Sequence, residues 1–158
     1  MKPILAPLTA LAILAACSPG EPQAPAASGA EQAGPVLSYT DAFVVEPIAG
    51  RDMTMGGVQV SITGGDVRLV GASSDAIETI ELHTMSMTDG KMRMRQVDGF
   101  DLNDGETLSL QRGGNHMMMF GLSPDIVSGE TIDITLDFEA DGKPMTLVIE
   151  ADVRSVGE

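Results

Sequence analysis

Ile132-Asp133-Ile134-Thr135-Leu136-Asp137-Phe138 alternates apolar with acidic or hydroxyl residues; Asp141-Gly142 follows, and Met145, Leu147 and Ile149 then resume the alternation. Apolar side chains at every second position share one face of an extended strand, whereas a helix needs them every third or fourth. Asp-Gly supplies the two left-handed residues of a tight hairpin turn. The stretch predicts two antiparallel strands with one apolar face to bury.

Upstream, Val58-Gln59-Val60-Ser61-Ile62-Thr63 alternates in the same way and stops at Gly64-Gly65. Val67 to Val70 forms the next short run, and Val36 to Tyr39 and Phe43 to Val45 read as two short strands before Pro47. Downstream of the leader, apolar residues nowhere keep a 3.6-residue period, and turn residues recur about every ten positions. The pattern predicts an all-β sandwich with Greek-key connections. At 158 residues there is room for one such domain. With 43% hydrophobic but 3% aromatic residues and no Trp, its core must be built from Val, Ile, Leu and Met.

The formal charge is −14, from 23 acidic against 9 basic residues. Such a surface repels phosphate backbones and anionic headgroups, which argues against nucleic acid as a partner and against membrane contact other than through an anchor. The acidity itself reads as a solvated surface and marks no site.

The N-terminus has the order of a secretory signal: Lys2, then an apolar run from Ile4 to Ala16. Leu14-Ala15-Ala16-Cys17 resembles a bacterial lipobox, in which the cysteine becomes the lipidated first residue. The expected division is a signal peptide over 1–16, a lipidated Cys17 opening a Pro- and Ala-rich tether over 17–35, and a folded domain over 36–158. Cys17 is the only cysteine, so once acylated it leaves no thiol for a disulfide or a thiolate metal site. The domain is expected on the periplasmic face of a bacterial membrane. Ser18 after the cysteine implies sorting to the outer rather than the inner membrane.

The chemistry concentrates between His83 and Met118, which contains both histidines. Strand phasing puts Ile80 and Leu82 on one face and Glu81, His83, Met85 and Met87 on the other. Asp89-Gly90 reads as a second two-residue turn, and counting outward pairs Met87 with Met92, Met85 with Met94 and His83 with Gln96. Met94 then lies diagonal to His83. Gly113-Gly114-Asn115 leads into His116 and Met118 on one side of the next strand, with Met117 and Met119 directed to the core. Thioether and neutral imidazole are uncharged, soft donors suited to Cu(I) and poor for Mg(II) or Ca(II). The missing cysteine argues against a blue-copper electron-transfer centre. Met85 is a possible auxiliary donor, Met87 and Met92 are either secondary capture residues or packing, and Met53 and Met55 read as ordinary strand residues. Arg93 and Arg95 read as a solvated strand face or as a means of steering an acidic partner.

The spacing His83-x10-Met94-x21-His116-x-Met118, with Ile80-Glu81-Leu82-His83, Asp89 to Arg95 and Gly113 to Met118 around it, resembles the signature of the periplasmic copper chaperone family PCu(A)C, also described as DUF461. The resemblance implies a cupredoxin-like β-sandwich that binds one Cu(I) through His83, Met94, His116 and Met118. It also implies delivery to apo copper proteins, including the route to the CuA site of cytochrome c oxidase. Two other readings predict different behaviour: a methionine-rich copper buffer or resistance protein, and a metal-free structural sandwich lipoprotein. An enzyme is not expected, since the domain offers no convincing Ser/His/Asp set and no cysteine.

Overall fold

The computed structural model describes residues 34–124 and 126–157. The expected signal peptide, Cys17 and almost all of the tether lie outside these residues. Among the described residues there are ten strands: β1 (Val36–Val45), β2 (Met53–Thr63), β3 (Val67–Ser73), β4 (Ile77–Thr88), β5 (Lys91–Gln96), β6 (Phe100–Leu102), β7 (Thr107–Leu110), β8 (His116–Leu122), β9 (Thr131–Ala140) and β10 (Lys143–Arg154). No helix occurs among the described residues. The expected all-β class is the observed one.

The hydrogen-bonded order is β5-β4-β8-β2-β1-β10-β9-β3-β6, with β7 also pairing β2. β1 runs parallel to β10 and antiparallel to β2, so it joins the two halves of the sheet. One edge of β2 is shared: Met53 to Gly56 pair with β8, and Val58 to Ser61 pair with β7. Gly56 and Gly57 stand where the two partners meet. A Cβ at Gly57 would collide with the Leu110 carbonyl and the Phe43 ring, so the backbones approach there as only glycine allows.

β9 and β10 form the anticipated hairpin, with Phe138 opposite Met145, Leu136 opposite Leu147 and Ile134 opposite Ile149. Its turn residues Asp141 and Gly142 both have positive φ, 50° and 72°, as a type I′ turn requires. Ile134, Leu136, Phe138 and Ile149 are fully buried against Val58, Val60 and Ile62 of β2, Leu69 of β3 and Met117 and Met119 of β8 in one core. Burying each such side chain contributes about 1.5–3 kcal/mol.

Two segments differ from the sequence reading. Val36–Tyr39 and Phe43–Val45 are one strand, because a bulge between Thr40 and Phe43, with Asp41 at φ 52°, lets β1 continue. The Asp41 carboxylate accepts a hydrogen bond from Arg154 at 2.7 Å, which holds the bulge against β10. β2 joins Met53 and Met55 to the Val58 run in one unbroken strand, because the pairing of its first residues with β8 outweighs the low strand preference of Gly56-Gly57.

Candidate metal centre

β4, β5 and β8 carry the sequence-selected residues, and β2 lies beside them. Asp89 and Gly90, at φ 51° and 71°, close the β4–β5 hairpin with Met87 opposite Met92, Met85 opposite Met94 and His83 opposite Gln96. This is the register expected from the sequence. On its other side β4 pairs with β8, which sets His83 opposite His116 and Glu81 opposite Met118. One face of the sheet therefore carries a histidine rung, with the Met85–Met94 rung on one side and Met118 on the other.

The loop before His116 is short and tied down. Gly114 donates to the Gln111 carbonyl at 3.2 Å, the Gln111 amide donates back to the Asn115 carbonyl, and Thr84 Oγ1 donates to Asn115 Oδ1 at 2.8 Å. The Gly113-Gly114 pair thus makes a turn, with Gly113 at φ 81°. His116 emerges almost wholly covered, 4% exposed, while Met117 and Met119 on the opposite face fill the core as anticipated.

His116 Nδ1 lies 2.8 Å from the Gly114 carbonyl oxygen, and its Nε2 lies 3.1 Å from Met94 Sδ. A carbonyl only accepts, so Nδ1 carries the proton, and in the neutral ring the Nε2 lone pair faces the thioether. Two soft donors thus converge with no proton between them. Metal-binding histidines commonly donate their other ring nitrogen to a carbonyl in this manner.

His83 is organised by a different partner. Its Nε2 lies 2.9 Å from Glu81 Oε2, the ring is 5.8 Å from that of His116, and the side chain is 12% exposed. The carboxylate accepts, so Nε2 carries the proton, and in the neutral ring Nδ1 keeps its lone pair. Nδ1 is buried without a hydrogen-bond partner. A lone pair on each neutral imidazole, that of His116 against the Met94 thioether, fits a soft cation. Among the described residues no group of three His, Cys, Asp or Glu side chains could hold a metal ion, so the donors gathered here are the soft ones.

A cavity of about 450 Å³ is lined by His116, Met94, Met118, Met85, Met55 and Met53 among others, while His83 lies outside its lining. Met94 is half exposed at 50%. Met53 and Met55, read from sequence as ordinary strand residues, line the same cavity, with Met55 directly opposite Met118. Their spacing of two residues was the available signal; the pairing of β2 with β8 was not visible in it. Met87 and Met92, 68% and 56% exposed, form the rung next to the turn-closing Thr88–Lys91 pair and are not core packing.

The model of the LpqE-like lipoprotein family matches residues 37–150, which includes all four sequence-selected donors. The chain belongs to the LpqE-like family. A protein of Leifsonia xyli subsp. xyli that is named as a lipoprotein is 35% identical to this LpqE-like chain over 103 residues, 64% of this chain and 61% of that protein. The match thus spans less than two thirds of that relative's length. Among solved structures, the copper-bound PCuAC domain from PmoF2 superposes with a TM-score of 0.60 at 19% identity, over 75% of this chain and 92% of that one. The solution structure of apo-DR1885 from Deinococcus radiodurans matches with a TM-score of 0.55 at 30% identity, over 90% and 95%. The LpqE-like chain has the cupredoxin-like β-sandwich fold of the PCuAC domains.

Proposed function

We propose that this LpqE-like protein is an exported Cu(I)-binding metallochaperone of the PCu(A)C kind, with His83, Met94, His116 and Met118 as the ligands of its cargo. The observation that carries the reading is the 3.1 Å approach of His116 Nε2 to Met94 Sδ while Nδ1 is held by Gly114. Neutral donors bind Cu(I) without surrendering a proton near neutral pH and leave the lower oxidation state stable. The half-exposed Met94 gives an acceptor access to the ion, so release proceeds by ligand exchange and makes no covalent bond in a substrate. The copper bound by the PmoF2 domain and the spacing of the four residues in this chain support the same reading. Cys17 is the proposed lipid attachment point, which ties the protein to a membrane, the outer one by the Ser18 rule. Apo copper proteins, the CuA site among them, are the proposed acceptors.

Competition of the full chain against a Cu(I) chelator tests the ligands: one Cu(I) binds per chain, and His83→Ala plus His116→Ala abolishes stoichiometric binding. Retention of that binding by the double variant rejects the assignment. Transfer of Cu(I) to an apo acceptor then tests the chaperone role.

A second reading, a methionine-rich copper buffer, is favoured by the five thioethers of Met53, Met55, Met85, Met94 and Met118 on one cavity. It predicts more than one Cu(I) per chain and no transfer.

A further inference from the structure

Met118 has a thioether neighbour that the four-residue spacing does not include. In the β2–β8 register Met55 stands opposite Met118, and the next residue pairs, Thr54 with Met119 and Gly56 with Met117, alternate to the core side. Cross-strand partners share a face, with Cβ atoms about 4.5–5.5 Å apart. Each side chain has three rotatable bonds, so the two sulfur atoms can reach a common ion. Both residues line the cavity that His116 and Met94 also line.

The arrangement repeats on the other side of the histidines, where Met85 stands opposite Met94. Each thioether of the proposed ligand set therefore has a second thioether directly across from it on the neighbouring strand. Packing alone accounts poorly for Met55. The methionines that fill the core, Met117 and Met119, are wholly buried on the opposite face, whereas Met55 is partly exposed to the cavity.

We propose that Met55 is a further soft-metal ligand that shares a single Cu(I) with Met118, each standing in when the other is displaced. This rests on the reading that the face holds Cu(I). Its use is in handover: an incoming donor can take the place of one thioether while the ion stays bound by the other, so Cu(I) never passes through a bare intermediate. No bond other than metal–ligand bonds forms or breaks, and the copper remains Cu(I) throughout.

The test is chelator competition with the full chain carrying Met55→Leu, Met118→Leu or both, changes that conserve volume and packing. The pair is expected to lower Cu(I) affinity by about a hundredfold, the upper end of the range over which metal sites respond to lost partners, and each single change by less than about tenfold, because the other thioether still binds. An affinity unchanged within about twofold when Met55→Leu is added to Met118→Leu overturns the proposal. A second measurement needs no variant. With Ag(I) as a diamagnetic stand-in and methyl-labelled methionine, the Met55 methyl resonance is expected to shift along with that of Met118. A Met55 signal that stays in place while Met118 moves also overturns it. His116→Ala and Met94→Leu test the underlying four-ligand reading separately, since loss of affinity in those variants does not depend on Met55.

Discussion

His116 Nε2 faces Met94 Sδ across 3.1 Å while Gly114 holds the opposite ring nitrogen at 2.8 Å. The ring is therefore oriented before any ion arrives. His116→Ala removes a donor that is already in place, and His116→Gln keeps polarity without the imidazole. Both are expected to lower Cu(I) affinity by at least about tenfold, read by chelator competition. Near-native affinity in His116→Ala would show that the ion is held elsewhere.

Glu81 acts through His83. Its carboxylate fixes Nε2 at 2.9 Å and so selects the tautomer with a free Nδ1. Glu81→Gln retains an oxygen acceptor, whereas Glu81→Ala leaves the ring unguided. Affinity should fall by about tenfold or more in Glu81→Ala and much less in Glu81→Gln. Equal affinities in the two variants would reject this positioning role.

Oxidation should discriminate between the methionines by exposure. Met94 is 50% exposed, whereas Met117 and Met119 are wholly buried. Mild peroxide is expected to convert Met94, Met92 and Met87 to sulfoxides first, as read by peptide mass spectrometry. The harder oxygen donor should weaken Cu(I) binding, and methionine sulfoxide reductases should restore it. Full affinity in protein oxidised at Met94 would contradict its role.

Gly57→Ala places a methyl group against the Leu110 carbonyl and the Phe43 ring. Overpacking of this kind costs about 1–3 kcal/mol. The loss should appear as a lower denaturation midpoint with an unchanged denaturant slope. Because the clash lies where β7 gives way to the loop before His116, copper affinity should fall as well.

Basic side chains gather on β5 and in the cavity lining. Lys91, Arg93 and Arg95 stand exposed on β5, and Arg51 and Arg112 line the cavity, in a chain with only 9 basic residues against 23 acidic ones. By contrast, Arg68 and Arg154 are paired with Asp101 and Asp41. Arg93→Glu plus Arg95→Glu, on the face of β5 opposite Met94, should slow transfer to an acidic acceptor and flatten its dependence on salt, while equilibrium Cu(I) affinity stays unchanged. Transfer at the wild-type rate and salt dependence would remove β5 from the docking surface.

Much of this was legible in the sequence because strands write their faces at every second residue. Ile134, Leu136 and Phe138 announced the core, Asp141-Gly142 marked one hairpin turn, and Asp89-Gly90 fixed the other hairpin's register to the residue, including Met85 opposite Met94. Pairing between strands distant in sequence was not legible. Nothing local states that Met55 lies opposite Met118, or that His83 lies opposite His116, because these depend on which strands become neighbours in the finished sheet. The Asp41 bulge was hidden for a related reason, since it is held by Arg154 from the other end of the domain.

The direction of β1 has a mechanical consequence. Val36 pairs with Thr63 at one end of β2, while Met53 and Met55 stand at the other, with Met55 eight positions from Thr63, a span of roughly 26 Å at the usual rise per strand residue. The polypeptide thus enters the sandwich at the pole remote from the methionine face. A pull applied through the segment before Val36 would act at that far pole, like a mooring line fixed to the stern, and would leave the bow with the sulfur and imidazole donors free to swing toward whatever docks there.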